Sequence, residues 1–426
     1  MLGIFIGLIL LVVLAYRGYS ILWVAPLCAL VVAAFGSLDL LPSYTETYMG
    51  GLVDFTKSWF PIFMLGAIFG KLMEVSGSAA SVAGMLVHLI GKNNAILAIV
   101  IGCAVLTYGG ISLFVVVFAM YPLALALFKE ADIPRKLIPG TIALGAFTFT
   151  MTALPGSPQL NNLIPTKYFH TTPMAAPIIG ITASIIMLGL GYWYLHRRQI
   201  SLLKADIHYD DPVSFHAMEK KDLPPFILAV LPLLCVVITL NVIKLPIILS
   251  LLIGILLTMV LNFKKAKLFA AACNKGAEGS VQAILNTSAA VGFGTVVKAV
   301  PGFQILVTAL LGMHGSPLIS ESLAVTLLAG ATGSSSGGMG IALEALGPKY
   351  MELAASLHID PEVFHRIAAI ASGGLDSLPH CGAVITLLAV TGMNHKDSYK
   401  DIGMVTCVIP LLATAAAVIM GMLGIV

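Results

Sequence analysis

Seven stretches of this chain are apolar over the length that a bilayer's hydrocarbon core demands: residues 20–41, 58–74, 173–195, 224–242, 244–262, 281–300 and 403–426. A core about 30 Å thick takes roughly 20 residues of helix, with about 17 as a working minimum. So many runs of that length imply an all-α polytopic membrane protein. Composition agrees, since 58% of the 426 residues are hydrophobic and only 10% charged, too few charges to cover a water-facing surface. The opening run, 2–15, has the length of a signal-peptide core. It lacks a basic leader, however, and a second apolar run begins at Ser20, so it reads as a first membrane helix. A net charge of +3 without a long basic block argues against nucleic acid as a partner. Cys28, Cys103, Cys235, Cys273, Cys381 and Cys407 stand singly with no CxxC pair and read as small buried residues, so no disulfide framework, metal or cofactor is expected.

Three other segments are apolar but interrupted. Residues 94–128 consist of two arms too short to span comfortably, joined by "YGGIS", which predicts a re-entrant hairpin. Residues 137–169 and 366–391 are long enough to cross, yet "LPGSPQLNN" (154–162) and "LDSLPHCG" (375–382) break them midway, as in discontinuous helices. The two halves echo each other. Gly77, Ala104 and Thr107 align with Gly302, Ala329 and Thr332 at a constant offset, and "ADIPRK" and "HIDPEV" precede the two broken helices. Paired interruptions in corresponding places are the sequence mark of a secondary transporter's binding site. The expected organisation is a first repeat at 1–195, a cytoplasmic linker at 196–223 and a second repeat at 224–426. With the N-terminus outside and the repeats inverted, only Lys57, Lys167, Lys244, Lys298, Lys349 and Arg366 of the 23 Lys and Arg fall on the outer side. The positive-inside rule selects that orientation.

Four polar interruptions carry the chemistry: "TYGGIS" (107–112) and "TGSSSGG" (332–338) at the hairpin tips, and the two breaks. Irregular backbone at membrane depth is tolerated only where it is buried in protein or lines a cavity. Half-helix N-termini and hydroxyls facing such a cavity suit a carboxylate. The tips therefore nominate Tyr108, Gly109, Gly110, Ser112, Ser334, Ser335 and Ser336; the competing reading is that small residues merely permit close helix packing. Asp376 and His380 lie four apart, on one face if the segment is helical. Both can exchange protons, and ionisable groups within membrane segments are costly and usually functional. The competing reading makes Asp376 a cap for the following half-helix. Lys71, Glu74, Lys298 and Glu344 are weaker candidates that could snorkel at helix ends. An enzyme is not expected: "GSSSG" (333–337) matches G-x-S-x-G without the strand-turn-helix setting of a nucleophile elbow. A channel is the alternative class, but paired broken helices fit alternating access better.

"ALPGSPQLNNLIPT" (153–166) and "SGGLDSLPHCGAVITLL" (372–388) resemble the signatures of the gluconate permease (GntP-type) family of the ion transporter superfamily. The resemblance in layout runs along nearly the whole chain. It implies proton-coupled symport of a small hydroxy-monocarboxylate across a bacterial inner membrane by a homodimer of elevator type, with sodium coupling as the alternative. It places Ser157, Gln159, Asn161 and Asn162 in one half of the substrate site, and Asp376, Ser377 and His380 in the other, with Asp376 and His380 handling the proton. The serine-rich second tip leans toward the branch for shorter acids such as 3-hydroxybutyrate.

Overall fold

A computed structural model describes residues 2–17, 19–210, 223–303, 305, 316–379 and 381–426. Among the described residues the regular structure is all helical, without strands. The chain begins with α1 (Leu2–Tyr16), α2 (Ile21–Phe35), the long α3 (Leu40–Val75) and the short α4 (Ser78–Ile90). A hairpin follows, α5 (Ala95–Tyr108) and α6 (Leu113–Glu130). Next come α7 (Ile138–Ala146), α8 (Phe149–Thr152) and, beyond a break, α9 (Leu160–Phe169); α10 (Pro177–Lys204) closes this half.

The second half continues with α11 (Phe226–Asn241), α12 (Ile247–Leu261) and the long α13 (Phe269–Ala299). Its hairpin is α14 (Pro317–Thr332) and α15 (Ser335–Leu357). Its broken helix is α16 (Pro361–Ser372) and α17 (Gly382–Thr391), and α18 (His395–Met422) closes it. The sequence also places a short amphipathic run before each hairpin; the one before the second falls largely on residues outside those described.

Several expected spans are parts of something longer. The runs at 58–74, 281–300 and 403–426 are segments of α3, α13 and α18, and α10 continues past 195 to Lys204, into the stretch read as linker. Conversely, α2 and α12 have 15 residues each and α11 has 16, because Gly36, Pro225, Pro246 and Asn262 bound them. Helix starts follow local chemistry. Ser20, Ser316 and Asp360 cap α2, α14 and α16 with side-chain oxygens, and Pro317 and Pro361 occupy the first helical turn, where a missing N–H costs nothing.

Two groups of helices result. The long α3 and α13 pack along each other with α2 and α12 beside them, and α1 and α11 complete this group. Between the two long helices, a Cβ on Gly276 would sit 2.8 Å from the backbone of Ile68, the close approach that small residues permit where lipid supplies no hydrophobic drive. The hairpins, broken helices and closing helices α10 and α18 pack together on the other side. Large apolar side chains such as Ile185, Trp193, Ile227, Leu256 and Leu327 remain exposed on the outer helices, as a lipid-facing surface requires.

Candidate functional site

The first hairpin tip is strapped to the first break. Gln159 donates from Nε2 to the carbonyls of Thr107 (2.6 Å) and Ile111 (3.3 Å), and the Tyr108 hydroxyl donates to Pro155 O (2.9 Å). Gly109 packs against Leu233 and Gly110 against Pro158. The break itself turns at Gly156, where φ is +78°, a left-handed conformation that glycine takes without steric cost. Asn241 of α11 donates to the Gly156 carbonyl at 2.8 Å, a direct link from the long-helix group into the break.

The same break is clasped from the other half of the chain. Arg366, on α16, is fully buried. It donates to the carbonyls of Ala153, Pro173 and Ala175 and to Asn162 Oδ1 at 2.7–3.2 Å. Asn162 in turn donates to Ser157 O (2.9 Å) and Pro173 O (2.8 Å), and His365 Nε2 lies 3.4 Å from Asn162 Oδ1. Arg366 is therefore an internal clasp and not the outward-facing charge expected from the sequence: its fork finds a ring of carbonyls freed by the irregular backbone. The sequence did hold a signal, an Arg beside a His in an otherwise apolar half-helix.

A second cluster forms at the other break. Asp376 is buried and accepts from the Ser377 hydroxyl at 3.0 Å, while Ser335 of the second hairpin tip faces the same carboxyl. Tyr399 donates to Ser377 O at 3.1 Å, Thr326 of α14 to Ala371 O at 3.0 Å, and Gly330 packs on Leu375. At the tip, Ser334 accepts from Gly337 N (3.2 Å) as the cap of α15, and Ser335 and Ser336 open that helix. Helix-turn-helix geometry here confirms that GSSSG is no nucleophile elbow.

Residues 373–379 are turns and bends, so Asp376 does not sit on a helix, which the four-residue spacing to position 380 had allowed. Gly373, Gly374 and Pro379 are the reason, since glycine and proline both disfavour a continued helix. Nor is Asp376 a cap: Cys381 precedes α17 and makes no side-chain capping bond. His380 lies outside the described residues.

Asn161 joins the two clusters. Its Nδ2 donates to Ser372 Oγ at 2.8 Å, and its carbonyl oxygen has no partner among the described residues. Gln159 Nε2 and the Tyr108 hydroxyl, by contrast, donate to backbone, and Asn162 divides its amide between backbone carbonyls and the Arg366 side chain. Ser157 accepts from Gln159 N at 3.3 Å, and Ser112 stands at the start of α6 without a capping bond. Each of the four interruptions ends at a helix N-terminus: Leu113, Leu160, Ser335 and Gly382. The weaker candidates are engaged elsewhere. Lys71 pairs with Glu74 at 2.8 Å, Glu344 accepts from Tyr168 at 3.0 Å, and Lys298 donates to Glu344 O at 3.3 Å. Glu344 also lines an outer cavity of about 230 Å³ with Glu46, Asp54 and Lys167, away from the breaks.

Among the described residues the chain has no strands and several helices long and apolar enough to cross a membrane, with two hairpins and two broken helices, and comparison with known proteins places it among membrane transporters. The chain belongs to the GntP family of permeases, whose model matches residues 1–249. It is 41% identical, over 99% of both chains, to a Bacillus subtilis (strain 168) protein named as an uncharacterized transporter, YxjC. A Haemophilus influenzae (strain ATCC 51907 / DSM 11121 / KW20 / Rd) protein, also named as an uncharacterized transporter, is 24% identical over 88% of this chain and 87% of its own length. Among solved structures, the Alcanivorax borkumensis YdaH transporter, described as having an unusual topology, superposes with a TM-score of 0.60 at 15% identity. The match covers 91% of this chain and 90% of that one, and the likeness is one of fold. The protein is a multi-pass membrane transporter and not an enzyme.

Proposed function

We propose that this permease is a proton-coupled symporter of a small hydroxy-monocarboxylate, of the gluconate or 3-hydroxybutyrate type, in a bacterial inner membrane. The observation that carries the reading is the set of four interruptions, each ending at a helix N-terminus, with Asp376 buried among hydroxyls at one of them. Free N–H groups and the partial positive charge of a helix start favour a carboxylate, while Ser335, Ser377 and the free carbonyl of Asn161 suit the hydroxyl of a hydroxy acid. Ser157 and Ser336 line the same interruptions. His380 keeps the role of substrate or proton partner that its motif implies.

Coupling follows from electrostatics. Two carboxylates at close range do not both stay ionised, so an anion bound beside Asp376 brings a proton with it. The hairpins, broken helices and closing helices would move as one body against the α3/α13 group, in an elevator cycle of two inverted repeats within a homodimer. Uptake into proteoliposomes from a panel of hydroxy acids, under imposed proton and sodium gradients, tests the reading. Saturable accumulation driven by the proton gradient is expected. Accumulation driven by sodium alone would replace the coupling ion, and unsaturable passive flux would overturn the carrier in favour of a channel.

Asp376→Asn mimics the protonated state. It is expected to abolish gradient-driven accumulation while substrate exchange persists in part. A variant that still concentrates substrate as the native protein does would remove Asp376 from coupling.

A further inference from the structure

The arm of the second hairpin that leads to its tip contains a carboxyl that none of the foregoing chemistry uses. Glu321, on α14, is 0% exposed, and neither of its side-chain oxygens has a hydrogen-bond partner among the described residues. It lies eleven residues before Thr332 at the tip, about 16 Å along the helix and so well away from Asp376. Among the described residues, the elements packed on α14 are α15, α16, α18 and α1. From α15, the buried Tyr350 interacts with Glu321 electrostatically, while its hydroxyl sits 3.4 Å from Ser320 Oγ. From α16, His365 is engaged with Thr171 (2.6 Å) and Arg366 with the first break, while Glu362 accepts from Ala176 N (2.9 Å). Within α18, the stretch after Cys407 contains no titratable side chain, and α1 contains none before Tyr16.

A carboxyl in such a place adds nothing to the fold, because an apolar side chain would fill the space without the cost of stripping a polar group of water. An ionised carboxylate at zero exposure and without a partner among the described residues is among the costliest groups to bury, so the proton stays on while the arms are closed. We infer that Glu321 is a second proton-binding site, one that reports and biases the position of the second hairpin: protonated when α14 is seated on α15 and α16, and ionised when the arm lifts and water reaches it. Because ionisation is favoured only in the lifted arrangement, loss of the proton shifts the population toward it. The inference requires that the hairpin move, as in any carrier, but is independent of the role given to Asp376.

Infrared spectra of the full-length protein in lipid test the first half. A carbonyl stretch from a protonated carboxylic acid free of hydrogen bonds is expected in the native protein and in Asp376→Asn, and absent in Glu321→Gln. The second half is read from Val325→Cys in a cysteine-free background, one turn further along α14 and fully buried. Its labelling by a thiol reagent, corrected for thiolate fraction, should rise at least several-fold with pH, and stay flat when Glu321→Gln is added. A missing band in the native protein, or pH-dependent labelling that survives Glu321→Gln, would overturn the proposal. Glu321→Asp, which keeps the proton, serves in the same spectra if the Gln variant does not assemble, and the native spectrum is decisive by itself. If uptake fails to follow a proton gradient while the band and the labelling behave as stated, the coupling reading fails and this one stands.

Discussion

Arg366 makes five hydrogen bonds from a site with no exposure, four of them to main-chain carbonyls of residues 153–175. A lysine carries the charge but cannot reproduce the fork. Arg366→Lys should leave at least one buried acceptor unpaired, at about 1–3 kcal/mol each, and lower the melting temperature in detergent; an unchanged melting curve would show the clasp to be dispensable. Substrate affinity separates struts from ligands at the same scale. Asn161→Ala and Ser335→Ala should each weaken binding by about 1–3 kcal/mol, roughly 5- to 150-fold, measured by equilibrium binding. Gln159→Ala should show as lost stability, because its amide nitrogen ties the first tip to the first break.

At the scale of elements, the second hairpin closes through backbone contact. A Cβ on Gly338 would collide with the backbone of Ala329, and Gly338→Val should force α14 and α15 apart. Increased proteolysis or thiol access at that hairpin is the expected readout, and a closed, protected hairpin in the variant would contradict it. The connection between the halves is clasped differently. Asp132, in the turn after α6, lies 2.6 Å from His208 Nδ1 and accepts from Tyr209 N at 3.1 Å, and Arg135 pairs with Asp210 at 2.8 Å. Its hydrogen bond with Asp132 raises the His208 pKa above the usual histidine value, and the same bond lowers that of Asp132. A raised histidine contributes fully below its ordinary value and loses the contribution as pH rises through the folded one. The linker should therefore be better protected from hydrogen exchange at mildly acid pH than at alkaline pH, and His208→Ala should abolish the difference.

For the whole molecule, the inverted topology is tested by single cysteines in a cysteine-free variant. Ser201 is exposed near the end of α10, but Ser43 is buried, so the outer probe belongs at Asp39, which is exposed and makes no capping bond. An impermeant reagent should reach Asp39→Cys from outside and Ser201→Cys from inside; labelling of both from one face would overturn the orientation. The membrane class, the two hairpins and the two breaks were legible in the chain because each follows from local rules: the length a bilayer demands, and the cost of unpaired backbone where glycine and proline interrupt a helix. The polar candidates were legible too, since polar groups in apolar runs are few. Their division of labour was not. Gln159 and Asn162 became struts, Asn161 a bridge, Arg366 a clasp and Glu321 a buried acid only when segments some 50 to 210 residues apart came together, since the partner of a hydrogen bond is chosen by tertiary packing and not by the neighbouring sequence.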